Sequence, residues 1–237
     1  MLSGRGCFVV IPTNMPAETQ IEYIECYSNK EISNLRNYGE IYNPNEPATA
    51  DKPIIYLYPK TETDVVVELK KPELIVCSYP KYESKWSVLA KPDGTLIDQK
   101  TGRKLYSLYY ESKTEPINIT DGFVVKGEDS DSFLEEKLAL LGLTEREAEE
   151  FIVYWLPRLK SNPYNLIHFA TKEELDNYMP IEIIPKPDNF IRVWMIFEAL
   201  DEPIEIDEQT FTSPERDGFV AVEWGGIDNK SSNNEKK

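Results

Sequence analysis

Residues 130–157 read SDSFLEEKLALLGLTEREAEEFIVYWLP, and this stretch decides the fold class. Apolar residues recur there at helical spacing, first at positions 133, 134, 138 and 141, then at 148, 151, 152 and 155. Gly142 separates the two runs, and Pro157 breaks or kinks the second. Capping-box spacing occurs twice, at Ser132 with Glu135 and at Thr144 with Glu147. The stretch therefore predicts two consecutive helices.

On both sides of this helical pair the hydrophobic pattern is that of strands. Before it, apolar runs predict strands at 54–58, 64–69, 73–78, 86–90, 95–97 and 105–110. After it, they predict strands at 164–169, 181–184, 191–197, 203–206 and 219–224, and a short helix at 171–178. Strands, two helices and more strands, without regular alternation, predict an α+β fold. We expect a mainly antiparallel β-sheet or sandwich with a two-helix insertion packed on one side.

The sequence divides into three parts. Residues 1–51 are predicted to be an N-terminal appendage and linker, because 43–47 reads NPNEP and each proline disfavours helix in the residue before it. Residues 52–226 are predicted to form a single α+β domain. Gly225 and Gly226 are expected to end the last strand, and residues 227–237 to form a disordered polar tail.

The charge of the chain restricts its partners. It has 237 residues, with 26 Lys and Arg against 42 Asp and Glu, which gives a formal net charge of −16. Such a balance repels nucleic-acid backbones and anionic lipid headgroups, so nucleic-acid binding is not expected. No uncharged apolar run approaches the length that spans a bilayer, so the sequence predicts no membrane span.

Cysteine usage favours a cytoplasmic location. The three cysteines, Cys7, Cys26 and Cys77, are odd in number and widely spaced, and they specify neither a disulfide framework nor a zinc site. Export stays open as the alternative, because Cys7 and Cys26 are able to pair in an oxidising compartment. Asn118 and Asn229 also begin triplets that match glycosylation acceptors.

Five segments of the predicted domain resemble an uncharacterised, mostly bacterial protein family. They are KPIIYLYP from Lys52, FVVKGED from Phe123, YWLP from Tyr154, YNLI from Tyr164 and VEWGG from Val222. The resemblance implies one domain from about residue 52 to residue 226. It implies no reaction and supplies no active-site residues, since the family has no assigned activity.

Catalytic and cofactor motifs are missing from the sequence. The single histidine, His168, lies in a predicted strand, and no serine or cysteine lies in a nucleophile motif. No glycine-rich phosphate-binding motif and no metal-ligand spacing occurs, so we predict neither cofactor nor metal. A carboxylate-dependent hydrolase acting on a polysaccharide or similar substrate remains an alternative, with Glu111, Glu128 and Glu223 as candidate catalytic residues beside aromatics or strand ends.

Aromatic residues are concentrated in the strand-rich first half of the domain. We predict that Tyr106, Tyr109, Tyr110 and Trp86 contribute to a binding face, because aromatic side chains on a sheet stack on sugars or anchor protein interfaces. The sequence therefore favours a noncatalytic binding or protein-interaction domain, with a protein or a carbohydrate as partner. A structural component of a larger assembly is the third possibility.

Overall fold

A computed structural model of the chain describes residues 49–115 and 117–229. All of them belong to the unit formed by residues 47–237. The predicted appendage up to residue 48, with Cys7 and Cys26, and the predicted tail from residue 230 lie outside the described residues.

Within these ranges the chain forms twelve strands and three α-helices. The strands are β1 (Thr49–Tyr58), β2 (Thr63–Leu69), β3 (Ile75–Tyr79), β4 (Trp86–Ala90), β5 (Leu96–Asp98), β6 (Lys104–Leu105), β7 (Leu108–Lys113), β8 (Phe123–Lys126), β9 (Tyr164–Phe169), β10 (Ile181–Ile184), β11 (Asn189–Leu200) and β12 (Val220–Asp228). The helices are α1 (Ser130–Leu140), α2 (Glu145–Lys160) and α3 (Lys172–Tyr178), and short 3-10 turns occupy Pro72–Leu74 and Gly127–Asp129.

The strands form two sheets. The larger has seven strands in the order β3-β7-β1-β12-β11-β9-β8, and the smaller has five in the order β10-β2-β4-β5-β6. Strand pairs are antiparallel except β11 with β12, which run parallel. The predicted α+β fold, mainly antiparallel with two helices on one side, is confirmed.

The seven-stranded sheet is the middle of three layers, and each of its faces covers a hydrophobic core. Ile55 and Leu57 of β1 face the five-stranded sheet, whereas Ile54 and Tyr56 face the helices α1 and α2. This follows from the period of two along a strand. We call these the inter-sheet core and the helix-side core.

Strand β12 passes through the centre of the larger sheet and is longer than predicted. It continues through Gly225 and Gly226 to Asp228, and Ile227 is fully buried, so the prediction that the glycines end the strand is wrong. A Cβ at Gly226 would lie 2.6 Å from the Trp155 ring and 2.5 Å from a backbone oxygen of β11. Glycine is needed there because helix α2 approaches the sheet closely.

Two predicted strands are corrected. Residues 105–110 divide between β6, in the five-stranded sheet, and β7, in the seven-stranded sheet, so the chain crosses between the layers near Tyr106. Residues 203–206 form no strand, and the nearby Asp207 makes a single bridge to Asp121. A local apolar pattern does not say which sheet accepts a segment, because pairing is non-local.

The helix signals give mixed results. The capping boxes of Thr144 with Glu147 and of Thr171 with Glu174 are both present, at the starts of α2 and α3. Helix α1 instead begins at Ser130, before the predicted Ser132 cap, and α2 continues through Pro157. None of the described helices is long and apolar enough to cross a membrane.

Candidate functional site

Alternation along β7 separates the aromatic residues that the sequence placed on one binding face. Tyr110 is fully buried in the inter-sheet core, and Trp86 of β4 is 3% exposed in the same core. Tyr109 points the other way and packs at the margin of the helix-side core. Tyr106, which precedes β7, is 54% exposed, and its ring centroid lies 6.4 Å from that of Tyr56 in the helix-side core. Tyr106 and Tyr109 therefore lie on the helix side of the sheet, whereas Tyr110 and Trp86 lie in the inter-sheet core on its other side.

The three predicted carboxylates also lie apart. Glu111 shares the helix-side face of β7 with Tyr109, and its carboxylate accepts the Tyr109 hydroxyl at 2.5 Å. Glu128 lies in the 3-10 turn after β8, at the opposite edge of the sheet, where it is exposed and pairs with Lys126 at 3.7 Å. Glu223 of β12 is fully buried in the inter-sheet layer. The structure does not bring these carboxylates together.

Glu223 belongs to a buried polar cluster. Its Oε1 accepts the Tyr110 hydroxyl at 2.6 Å, and its Oε2 accepts the Arg192 Nε at 2.6 Å. Burial and the Glu223 charge raise the pKa of Tyr110 well above its ordinary value. Burial alone would lower the pKa of Arg192, but the charges of Glu223 and Tyr110 outweigh it and raise that pKa. The carboxylate is fully engaged, which indicates a structural role.

A half-exposed aromatic surface lies on the helix side of β3 and β7, beside α2. We call it the open tyrosine face and define it as Tyr106, Tyr109, Glu111 and Tyr154. Tyr79 lies opposite Tyr109 across the β3–β7 pair and is 49% exposed, but its hydroxyl accepts a hydrogen bond from Arg103 Nη1 at 2.8 Å, just before β6 of the five-stranded sheet. Tyr79 therefore borders the face and is not part of it. Among the described residues, the strand residues buried in the helix-side core all lie on the other five strands, so β3 and β7, at one edge of the sheet, are only partly covered on this side.

Hydrogen bonds hold two of these rings in place. Burial, together with the hydrogen bond to Glu111 and its charge, raises the pKa of Tyr109 far above its ordinary value. Tyr154 accepts a hydrogen bond from Arg158 Nη2 at 3.1 Å, and the same guanidinium pairs with Asp51 at 2.8 Å. Both hydrogen bonds therefore restrict the orientations open to the two rings.

Lys52 lies at the margin of this face in a strained conformation. Its φ of 55° is left-handed, and it lies where the register of β1 shifts between Asp51 and Ile54. The ammonium is 4.7 Å from the Tyr154 ring centroid and 5.5 Å from that of Trp224. Burial lowers the pKa of Lys52, and the Glu150 charge opposes this shift. Backbone strain of this kind is concentrated at functional sites, at a cost of about 1–3 kcal/mol.

His168 is buried in β9 between two carboxylates. Its Nδ1 lies 3.0 Å from Asp121 Oδ1, and its Nε2 lies 3.2 Å from Glu174 Oε2, the same carboxylate that caps α3. This arrangement ties β9 to α3, which indicates a structural role for His168. Among the described residues, no group of three or more His, Cys, Asp or Glu side chains is arranged to hold a metal ion.

Comparison of the chain with known protein families, with curated proteins and with solved structures found no match. The resemblance to an uncharacterised bacterial family stays a prediction. We therefore infer the function from the residues of the site itself.

Sequence reasoning missed residues in and beside the open tyrosine face. Tyr154 comes from α2, and Tyr79, which borders the face, ends a strand whose partner, β7, is far along the sequence. Lys52 carries one local signal, since it precedes Pro53, but that signal favours extended backbone and not the left-handed conformation found. The period of two along β7 places Tyr109 and Glu111 on one side and Tyr110 on the other, whereas the prediction from the sequence put both tyrosines on one face.

Proposed function

We propose that the chain is a noncatalytic binding domain that binds another protein through the open tyrosine face. The observation that carries the proposal is the 54% exposure of Tyr106 on the side of the sheet where Tyr109 is also held. Tyrosine and arginine are the residue types that concentrate binding energy at protein interfaces. Arg146, which is exposed, and Arg158 border the same surface.

A protein partner is favoured over a carbohydrate. Sugars stack on free aromatic ring faces, whereas here cations already lie near them. The Arg146 guanidinium is 6.0 Å from the Tyr106 ring centroid, and the Lys52 ammonium is 4.7 Å from that of Tyr154. Arg146 pairs with Glu150 at 3.3 Å but stays exposed, so it and Lys52 are suited to the carboxylates of a partner protein, which supports recognition by combined aromatic and charged contacts.

The placement of the carboxylates supports a noncatalytic role. Hydrolysis by a carboxylate pair requires two carboxyl groups about 5–10 Å apart on either side of the scissile bond. Glu111 and Glu223 lie on opposite faces of the seven-stranded sheet, and Glu128 lies beyond its far edge strand, β8. The proposal therefore needs no active site among these residues.

The test is quantitative affinity capture with matched tyrosine variants. Tyr106→Ala and Tyr109→Ala remove rings from the face, whereas Tyr164→Ala removes a tyrosine from β9, near the other edge of the same sheet. We expect a captured protein to lose affinity by roughly thirty-fold, about 2 kcal/mol, with each face variant and to bind the control as it binds the wild type. Titration calorimetry with that purified partner gives the affinities, and thermal unfolding confirms that the variants are folded.

Two results would contradict the proposal. One is that all three variants capture the same proteins as the wild type, with the same affinity. The other is a glycan array on which the wild type binds oligosaccharides and Tyr106→Ala does not, which would assign the face to carbohydrate.

A further inference from the structure

The free edge of the five-stranded sheet borders a groove. Strand β10 is the last strand of that sheet and pairs with β2; within residues 49–115 and 117–229 no strand pairs with its other edge. All four residues of β10 line a groove of about 960 Å³. Its other walls come from β11, α3, the segment between β10 and β11, the ends of β2 and α1, and the loop before β12. This volume is at the upper end of the range for ligand sites in proteins, roughly 300–1,000 Å³.

The register of β10 shows which backbone groups face the groove. Lys70 N donates to Pro180 O at 2.9 Å, so Pro180 directs its carbonyl towards β2. Backbone groups alternate along an antiparallel strand, so Glu182 also faces β2. Ile181 and Ile183 then direct their N–H and C=O groups away from β2, at the edge that borders the groove. Unpaired groups in this arrangement form a template for an added strand.

The charges of the groove favour one kind of occupant. Its carboxylates are all engaged: Asp176 pairs with Arg192, Glu182 with Lys70, and Asp188 accepts the N–H of Phe219. Lys172 and Lys186 line the same groove, and neither forms an ion pair with another residue in the part of the chain that the structure describes. On a chain of net charge −16, this is a local surplus of positive charge.

We infer that the groove binds an acidic segment of a partner protein in extended conformation, which adds to β10 as a strand. The N–H and C=O groups of Ile181 and Ile183 pair with its backbone, and Lys172 and Lys186 bind its carboxylates. Ile184, 49% exposed, and Phe190 offer apolar contacts to its remaining side chains. The groove shares no residue with the open tyrosine face, so this inference holds or fails independently of the proposed function.

The charge part is tested with labelled peptides and fluorescence anisotropy. The probe is a short peptide of alternating valine and glutamate, and its counterpart alternates valine and lysine. We expect the glutamate peptide to bind, the lysine peptide not to bind, and the double variant Lys172→Glu with Lys186→Glu to bind about tenfold more weakly. Lys104→Glu, on the opposite edge strand β6, is the matched control and is expected to bind like the wild type.

The strand-addition part is tested at the backbone. Ile181→Pro removes an N–H that faces the groove without removing one that pairs with β2, and Ile181→Val keeps it. We expect Ile181→Pro to weaken binding of the glutamate peptide at least tenfold and Ile181→Val to leave it unchanged. If Ile181→Pro does not fold, hydrogen exchange on the wild type tests strand addition instead. We expect the amides of Ile181 and Ile183 to exchange more slowly when the glutamate peptide is bound.

Three results would overturn the inference. The first is that the glutamate peptide does not bind the wild type. The second is equal binding of both peptides. The third is that the amides of Ile181 and Ile183 exchange at the same rate with and without the peptide.

Discussion

Tyr109 and Tyr110 are neighbours on one strand, and each gives its hydroxyl to a glutamate, yet they belong to different parts of the protein. Tyr110 donates to Glu223 at 2.6 Å in the inter-sheet core, where both side chains are fully buried. Tyr109 donates to Glu111 at 2.5 Å on the open tyrosine face, where both are half-buried. The same chemical pair therefore occurs once as a core element and once as part of a surface.

The difference shows that burial, and not residue type, decides what a tyrosine–glutamate pair does. In the core, the carboxylate needs Arg192 as a counter-ion, because an unpaired buried charge is costly. On the surface, water screens Glu111, so its loss costs little stability and the pair is available for binding. We therefore expect substitutions in the inter-sheet core to lower the free energy of unfolding, and substitutions on the open tyrosine face to lower the affinity for a partner.

Replacing Arg192 is expected to have the largest effect. Arg192→Met leaves Glu223 buried without its counter-ion, and we expect a loss of about 3–5 kcal/mol in the free energy of unfolding. Urea denaturation followed by circular dichroism measures it. Arg146→Met removes an exposed guanidinium and is the control, with a change of less than about 0.5 kcal/mol. Equal losses of unfolding free energy in Arg192→Met and Arg146→Met would contradict the distinction between the inter-sheet core and the surface.

Removal of the buried hydroxyl is expected to have the next largest effect. Tyr110→Phe keeps the ring but takes a hydrogen bond from a buried carboxylate, so we expect a loss of about 1.5–3 kcal/mol in unfolding free energy. The same denaturation experiment measures it. A loss below about 0.5 kcal/mol would mean that another donor or water satisfies Glu223.

Alkaline pH should reveal the buried hydroxyl. The pKa of Tyr110 is raised in the folded state, chiefly by burial, so the folded protein keeps this proton above about pH 10, where the unfolded chain loses it. Its contribution to stability is therefore complete below about pH 10 and decreases as the pH rises further, by about 1.4 kcal/mol per pH unit. We expect Tyr110→Phe to lose stability less steeply than the wild type in urea titrations above pH 10. If the unfolding free energies of the wild type and of Tyr110→Phe decreased equally with pH, the burial of the Tyr110 hydroxyl would be contradicted.

The smallest change in stability is expected on the open tyrosine face. Tyr109→Phe removes a hydroxyl whose partner, Glu111, is half-exposed, so we expect a loss below about 0.5 kcal/mol. Affinity for the captured partner should nevertheless decrease, because the phenyl ring that replaces the phenol is no longer oriented by Glu111. A stability loss equal to that of Tyr110→Phe would mean that Tyr109 also belongs to the core.

Several elements were predictable because their signals are local. The bounds of β4, β9 and β10 match the predicted 86–90, 164–169 and 181–184. The Thr144 and Thr171 caps were likewise predictable, since a capping box involves residues only three positions apart. The parallel pairing of β11 with β12 had no such signal, because it joins segments across the loop between residues 200 and 220.

The amino-acid pattern by itself determined the helices and most of the strands, because periodicity is a property of consecutive residues. The same periodicity directs Tyr109 and Tyr110 to opposite faces, although both were predicted to lie on one binding face. It did not determine which of the two tyrosines is buried. That depends on the layers packed against each face of the seven-stranded sheet, and these layers come from segments far apart in the chain. Lys52 was equally unpredictable, since its left-handed conformation at the bulge comes with contacts to Tyr154 and Trp224, more than a hundred residues away.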